Sequence, residues 1–217
     1  MAQFFDQLET RSSSEREAAQ FAALPAHIAL AQQRTSAFAQ ILSSINANQI
    51  TSRAALAALP VTRKTELHDR QKAARAAGGD VFGGFSSLLR QPGQRDMGRI
   101  FSSPGPIYEP EGKAADYWRA GRAVYAAGFR AGDLAHNAFS YHMTPGAFLM
   151  ESGAHAVGCT VFPAGVGQTE QQLQAIADLR PDGYLGTPSF LKILVEKAQE
   201  AGQTLSIKKG LVSGEAF

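Results

Sequence analysis

The 217-residue chain holds one cysteine, Cys159, and one tryptophan, Trp118. With a single cysteine no intramolecular disulfide can form, and a reducing, cytoplasmic setting is the expectation. No stretch approaches the ~20 apolar residues that a membrane helix needs. The start M-A-Q-F-F-D-Q-L-E-T carries neither the basic region nor the apolar run of a signal peptide, so no membrane partner is expected. Charge of one sign is lacking as well. The 21 lysines and arginines stand against 19 acidic residues, a net charge of +2. A nucleic-acid binder shows a strongly basic face, and none is visible here.

Several catalytic spacings are also absent. There is no C-x-x-C and no H-E-x-x-H, so His136, His142, His155 and Cys159 are not expected to hold a metal. Cys159 reads as a small buried hydrophobe. Ser189 lies in T-P-S-F rather than in G-x-S-x-G, which excludes a hydrolase elbow. G-V-G-Q-T-E lacks the third glycine of a dinucleotide fingerprint and does not open the first strand–helix unit, so it reads as a strand-to-helix loop. A nicotinamide-dependent enzyme would rest on fold type alone.

What is present is an ordinary globular composition, 44% hydrophobic, arranged in two regions. Residues 1–92 read as a helical, alanine-rich N-terminal region. R-S-S-S-E-R-E offers serine N-caps, Pro25 is expected to interrupt the helix, and a second helical run covers Ile28 to Ile45. Ser52 caps a short helix, and Thr65 precedes a charged one. From 93 to 217 the pattern alternates strand and helix. G-R-I-F-S-S, L-A-H-N-A-F, C-T-V-F-P, G-Y-L-G and K-G-L-V-S-G read as strands. Helices are expected over 113–127, 145–157 and 169–179, and from Thr187 to near Gly202. Thr169 and Gln172 match a capping box, and Thr187-Pro188 matches an N-cap with proline in the first turn. Tyr117 and Trp118 read as core or interface residues of the first of these helices.

This alternation specifies an α/β fold with a mostly parallel, helix-flanked sheet. Ligands bind beyond the carboxyl ends of such strands. Five loops are therefore of interest: Ser102–Tyr108, Ser140–Thr144, Ala164–Gly167, Thr187–Ser189 and Ser213–Phe217. They are expected to gather on one rim.

Those loops carry a resemblance. R-A-G-D-L-A-H-N-A-F-S-Y looks like R-P-G-D-x-x-x-N-A-F-G-Y, and G-T-P-S-F resembles A-T-P-S-Y. A-G-V-G-Q-T-E-Q-Q-L is similar to a glycine-rich N-T-E-x-Q-L stretch. G-L-V-S-G-E-A-F resembles G-x-x-G-A-E-P-W, and L-P-V-T-R-K-T-E-L resembles L-P-x-T-x-K-x-D-L. In this order they resemble the phenylacetate–CoA ligase branch of the adenylate-forming superfamily, from about Leu59 to the end. The resemblance implies an ATP-dependent acid–CoA ligase: an acid attacks the α-phosphate of ATP, and coenzyme A then displaces AMP. It implies ATP, Mg and coenzyme A, and a small carboxylic acid, aromatic or of medium apolar size.

By residue matching, Ser102, Ser103 and Gly105 fall where the family's phosphate loop begins. Phe139, Tyr141, His142, Thr144 and Pro188 fall at the acyl-substrate pocket. Ser213, Gly214, Glu215 and Ala216 fall on the adenine side. Catalytic residues are not assigned. His142 stands where the family often has glycine, and would either narrow the pocket or lie in solvent. Glu215 reads either as a site carboxylate or as an exposed one.

Two departures accompany the resemblance. The family's S-S-G-T-T-G-x-P is here S-S-P-G-P-I-Y-E-P. Pro104 and Pro106 have no N–H, and phosphate loops work through backbone N–H groups. Each lost charged hydrogen bond weakens binding by roughly 1.5–3 kcal/mol, so two losses amount to about two to four powers of ten. Glu109 and Glu111 are expected to add negative charge nearby. The chain is also about half the family's length, so it reads as an N-terminal half without the later catalytic parts. The alternative is a non-catalytic binding or assembly module on the same fold. An incomplete sheet would leave apolar surface uncovered, and a homodimer is the expectation.

Overall fold

The computed structural model describes residues 4–91 and 94–216. The expected boundary at 92/93 lies outside the described residues, as do Met1–Gln3 and Phe217. The described residues form two compact units, one within 10–113 and the other made of 4–9 with 114–216.

The unit Thr10–Lys113 starts with α1 (Ser13–Arg34), which a serine cap opens. Ser12 Oγ accepts from the Glu15 N–H, and the Glu15 carboxylate accepts from the Ser12 N–H. Pro25 does not end this helix. Proline removes one ladder bond, but Leu24 and Ile28 on either side pack with Leu42 and Ile50 and hold the helix together. The expected second run is accordingly split. Its first half continues α1, and Thr35 caps α2 (Ser36–Ile41) by accepting from the Phe38 N–H.

Ser52 caps α3 (Arg53–Ala57) as expected. Helix α4 (Lys64–Ala76) begins one residue before Thr65, with the Glu66 carboxylate accepting from the Arg63 N–H. Strands β1 (Leu89–Gln91) and β2 (Gln94–Arg95) pair antiparallel.

β3 (Met97–Ser103) pairs antiparallel with β4 (Ile107–Gly112), with Ser103 opposite Ile107 and Ser102 opposite Tyr108. This corrects the reading of G-R-I-F-S-S as the first strand of the parallel sheet. Pro104-Gly105-Pro106 is a three-residue connection, and parallel pairing needs a crossover of a dozen residues or more. Gln71, 2% exposed, fastens α4 to this hairpin: its amide donates to the Tyr108 C=O and accepts from the Tyr108 N–H, both at 2.9 Å. Glu111 is buried at the far end of the hairpin from the connection and paired with Arg99, so it adds no charge at Gly105.

The second unit holds the parallel sheet. Its strands are β5 (Leu134–Asn137), β6 (Thr160–Phe162), β7 (Gly183–Gly186) and β8 (Lys209–Val212), in the order β6-β5-β7-β8, all parallel. Helices α5 (Gly121–Ala126), α6 (Gly146–Val157), α7 (Thr169–Leu179) and α8 (Pro188–Glu200) fill the connections. One core joins Val124, Phe129, Ala135, Ala154 and Leu185; another joins Leu173, Ile176, Tyr184, Leu194 and Ala198. The α/β class is thus as expected.

Two helix starts differ from the expectation. The helix expected over 113–127 is only α5. Asp116 turns into the left-handed region (φ 46°), and its carboxylate accepts from the Ala120 and Gly121 N–H groups. Those bonds place the helix start after Asp116. The capping box at Thr169 is absent: Gln168, left-handed at φ 52°, precedes α7 without a side-chain cap, and Gln172 points inward.

Candidate functional site

The motif R-A-G-D lies at the amino end of β5, away from any carboxyl-edge ligand. The Asp133 carboxylate accepts from the Arg130 N–H at 2.6 Å and from Lys209 Nζ at 2.7 Å. It ties the starts of β5 and β8 together. Cys159 donates to the Arg130 C=O, and burial pushes its thiol up to about 11. A thiol in that state is a poor nucleophile at neutral pH.

At the carboxyl edge, Asn137 is fully buried and makes the central contacts. Its amide donates to the Tyr141 hydroxyl at 2.8 Å and to the Ala147 C=O at 2.9 Å. Its side-chain oxygen accepts from the Phe139 N–H at 3.2 Å, and its backbone C=O accepts from the Gly165 N–H at 3.0 Å. One side chain therefore fixes the end of β5, the 138–141 loop and the first turn of α6. Tyr141 donates its proton to Glu151 at 2.6 Å and meets the Phe148 ring edge to face at 5.2 Å. Burial, then the Glu151 carboxylate, pushes the Tyr141 phenol well above its ordinary range, so it stays protonated at neutral pH.

A second network holds the loop after β6. Gln172 is buried, and its amide donates to the Gly165 and Gly167 C=O groups at 2.9 and 2.7 Å. Its carbonyl faces His136 Nε2 at 2.7 Å. Because the Gln172 N–H groups are already committed, His136 Nε2 carries the proton in this pair; this assignment follows from the network. His136 stacks on Tyr184 and lies against Phe162. Burial lowers its pKa, partly opposed by the Gln172 bond.

The unfolded imidazole gains a proton near its ordinary 6.5, while the folded one resists until lower pH. The unfolded state thus binds more protons in that window, and stability falls as pH falls through it. The urea midpoint is expected to drop between about pH 7 and about pH 5. In His136→Phe that dependence should shrink, although absolute stability falls; an unchanged dependence would refute the assignment.

Phe139 and the turn after β8 meet at the same edge. A Cβ placed on Gly214 would lie 3.9 Å from Phe139 and 3.6 Å from Thr187. Gly214 is left-handed at φ 94°, a conformation that glycine adopts without steric cost. The Ser213 N–H donates to the Gly186 C=O at 3.2 Å. Glu215 accepts from the Ser189 N–H at 2.6 Å, and the Ser189 hydroxyl and N–H together hold its pKa below the usual carboxylate range. Glu215 thus occupies the start of α8, beside Pro188. His142, Thr144 and Ala216 are exposed, and Phe139 and Tyr141 are half-buried.

The structure therefore brings Phe139, Tyr141, Pro188, Ser213, Gly214 and Glu215 to one edge of one sheet. Ser102, Ser103 and Gly105 belong to the hairpin of the other unit. The serines are strand residues, and Gly105 at φ 139° sits over His68. Asn137, Glu151 and Gln172 carry the geometry without having been singled out as site residues. Asn137 and Gln172 stood inside the quoted motifs; Glu151 had no signal. Among the described residues no group of three or more His, Cys, Asp or Glu could hold a metal ion, and no helix is long and apolar enough to cross a membrane.

No protein-family model matches the chain. It is 30% identical over 183 residues to a phenylacetate–coenzyme A ligase of Aromatoleum evansii, covering 80% of this chain and 38% of that protein. It is 29% identical to the Thermus thermophilus phenylacetate–coenzyme A ligase, covering 73% of this chain and 35% of the relative. The chain thus spans well under half the length of these relatives. A solved 2-hydroxyisobutyryl-CoA ligase, in the postadenylation state with 2-HIB-AMP, superposes with a TM-score of 0.76 at 23% identity, over 88% of this chain and 40% of that one. An open form of that ligase with 2-HIB-AMP and CoA gives the same TM-score at 22% identity. At these identities the superposition shows the fold alone. By sequence the chain is similar to a segment of phenylacetate–coenzyme A ligases, and by fold to a segment of a 2-hydroxyisobutyryl-CoA ligase.

Proposed function

We propose that this chain supplies the acid-binding and adenine-side part of an ATP-dependent acid–CoA ligase resembling phenylacetate–CoA ligase. The observation that carries the reading is the gathering of Phe139, Tyr141, Pro188 and the Ser213–Ala216 turn at the carboxyl edge of one parallel sheet. That edge is where α/β sheets bind ligands. The names of the relatives supply the chemistry: phenylacetate and coenzyme A in one set, an acyl-AMP and CoA in the other.

In that reaction a carboxylate oxygen bonds to the α-phosphorus of ATP and pyrophosphate leaves. The thiol sulfur of coenzyme A then bonds to the acyl carbon and AMP leaves. The residues here would serve the first partner. Phe139 and Tyr141 present aromatic surface to an aromatic or medium apolar acid, and His142 and Thr144 border it. The backbone of Ser213, Gly214 and Ala216 would lie against adenine, in a turn that Glu215 fixes on Ser189. A cytoplasmic setting belongs to the same proposal.

The hairpin connection fits a triphosphate poorly. Of its three residues only Gly105 has an N–H, beside the two serine hydroxyls. We therefore assign no phosphoryl step to this chain, and no residue set for Mg. This same connection favours a second reading, a non-catalytic binding module that keeps the fold without the ATP chemistry.

Calorimetry with ATP and magnesium separates the two. A saturable heat lost when a side chain is placed on the adenine-side turn in Gly214→Val is the expected result for the ligase reading. Absence of nucleotide heat with retained acid binding supports the module. Binding of NADH without ATP would overturn both.

A further inference from the structure

We propose that Tyr141 and Glu151 make the polar end of the acid pocket a purely accepting surface, so that it selects carboxylic acids bearing a hydrogen-bond donor, above all an aromatic acid with a ring hydroxyl. The inference rests on the reading that Tyr141 lines the acid pocket, and deepens it.

The argument is an inventory of protons. Tyr141 has one, and it goes to Glu151 at 2.6 Å. The Asn137 amide has two, and they go to the Tyr141 oxygen and the Ala147 C=O. A carboxylate has none. Every donor in the cluster is thus consumed inside it, and what remains toward a ligand is lone pairs: one on the Tyr141 oxygen, and those of Glu151. No residue other than Tyr141 donates to Glu151 among the described residues. Its position on α6 follows from the helix repeat, one turn beyond Ala147 and therefore on the same face. Phe148 closes the apolar flank by meeting the Tyr141 ring at 5.2 Å.

A ligand hydroxyl entering this end finds acceptors, one of them anionic. A ligand carbonyl, or the acid's own carboxylate, finds only lone pairs and negative charge, and is turned away. The same pair therefore orients the substrate, hydroxyl toward α6 and carboxylate away from it. A hydrogen bond to a charged acceptor is worth about 10- to 100-fold in affinity.

The test is calorimetric titration of the 217-residue chain with four probes: phenylacetic acid, its 3-hydroxy and 4-hydroxy derivatives, and 4-methylphenylacetic acid as the size control. The expected result is that one hydroxy acid binds about 10- to 100-fold more tightly than the methyl acid. In Glu151→Gln the amide carbonyl still accepts from Tyr141 while the NH2 group adds donors, so the ratio should collapse to within about threefold, with the methyl acid little changed. A methyl acid that binds the wild type as tightly as both hydroxy acids overturns the inference and leaves the acid pocket standing. A preference that persists in Glu151→Gln overturns it too. If no acid gives a saturable heat, the acid-pocket reading fails and takes the inference with it. The wild-type comparison decides the matter even where the variant does not fold.

Discussion

Asn137→Ala is expected to destabilise the protein by about 2–5 kcal/mol, read as a fall in the urea midpoint at unchanged slope. Asn137 is 0% exposed and bonded to three groups through its side chain alone. Alanine leaves the half-buried Phe139 N–H without its acceptor, costing about 1–3 kcal/mol, removes the second bond to the Ala147 C=O, which keeps its helical one, and leaves a cavity besides. Asn137→Asp keeps the acceptor for Phe139 but loses both donors, and sets a carboxylate against the Ala147 C=O. It should be at least as harmful. Both variants remove the Asn137 donor from the Tyr141 oxygen and leave it only the bond to Glu151, so the near-ultraviolet tyrosine signal should change before global unfolding. A loss below about 1 kcal/mol in both would show that the 138–141 loop is held by other contacts.

Gly153→Leu is expected to abolish stable folding of the sheet unit, and Gly153→Ala to cost about 1–3 kcal/mol. Gly153 lies on α6 where that helix crosses α5. A Cβ there would lie 2.7 Å from the Ala120 Cβ, 2.8 Å from the Ala120 carbonyl carbon and 3.0 Å from the Gly121 nitrogen. Two of those neighbours are backbone atoms and cannot turn aside. Alanine would gain about 1 kcal/mol of helix propensity over glycine in an isolated helix. A stabilised Gly153→Ala in thermal unfolding would therefore show that α5 and α6 separate at little cost. The small residues at this crossing let two backbones approach, and that approach places Ala147 and Glu151 against Asn137 and Tyr141.

Much of this arrangement was legible in the residues. Short apolar runs such as Gly183–Gly186, followed by Thr187-Pro188, marked parallel strands and the starts of their helices, because burial on both faces and N-terminal capping leave local signatures. The turn G-L-V-S-G-E was legible as a loop beyond a strand, though not as a carboxylate closing on Ser189. The hairpin at Pro104-Gly105-Pro106 was misread because β3 alone looks like any other strand. Only the pairing of Ser103 with Ile107 makes it antiparallel. Gln172 was misread for a related reason. Three residues after a threonine it satisfies a capping pattern, yet its buried amide is claimed by Gly165, Gly167 and His136.

The sequence by itself determined the α/β class, the order of β5 to β8 with their helices, and the loops that end at the sheet's carboxyl edge. These follow from periodicity, capping and turn chemistry, which act over a few residues. Tertiary structure decided which side chains share a proton. Asn137 meets Tyr141 and Ala147, Tyr141 meets Glu151, and His136 meets Gln172 because parallel register and the α5–α6 crossing bring separate segments within 3 Å. Hydrogen bonds are short-ranged and directional; their partners are fixed by packing in three dimensions, and no spacing along the chain encodes them.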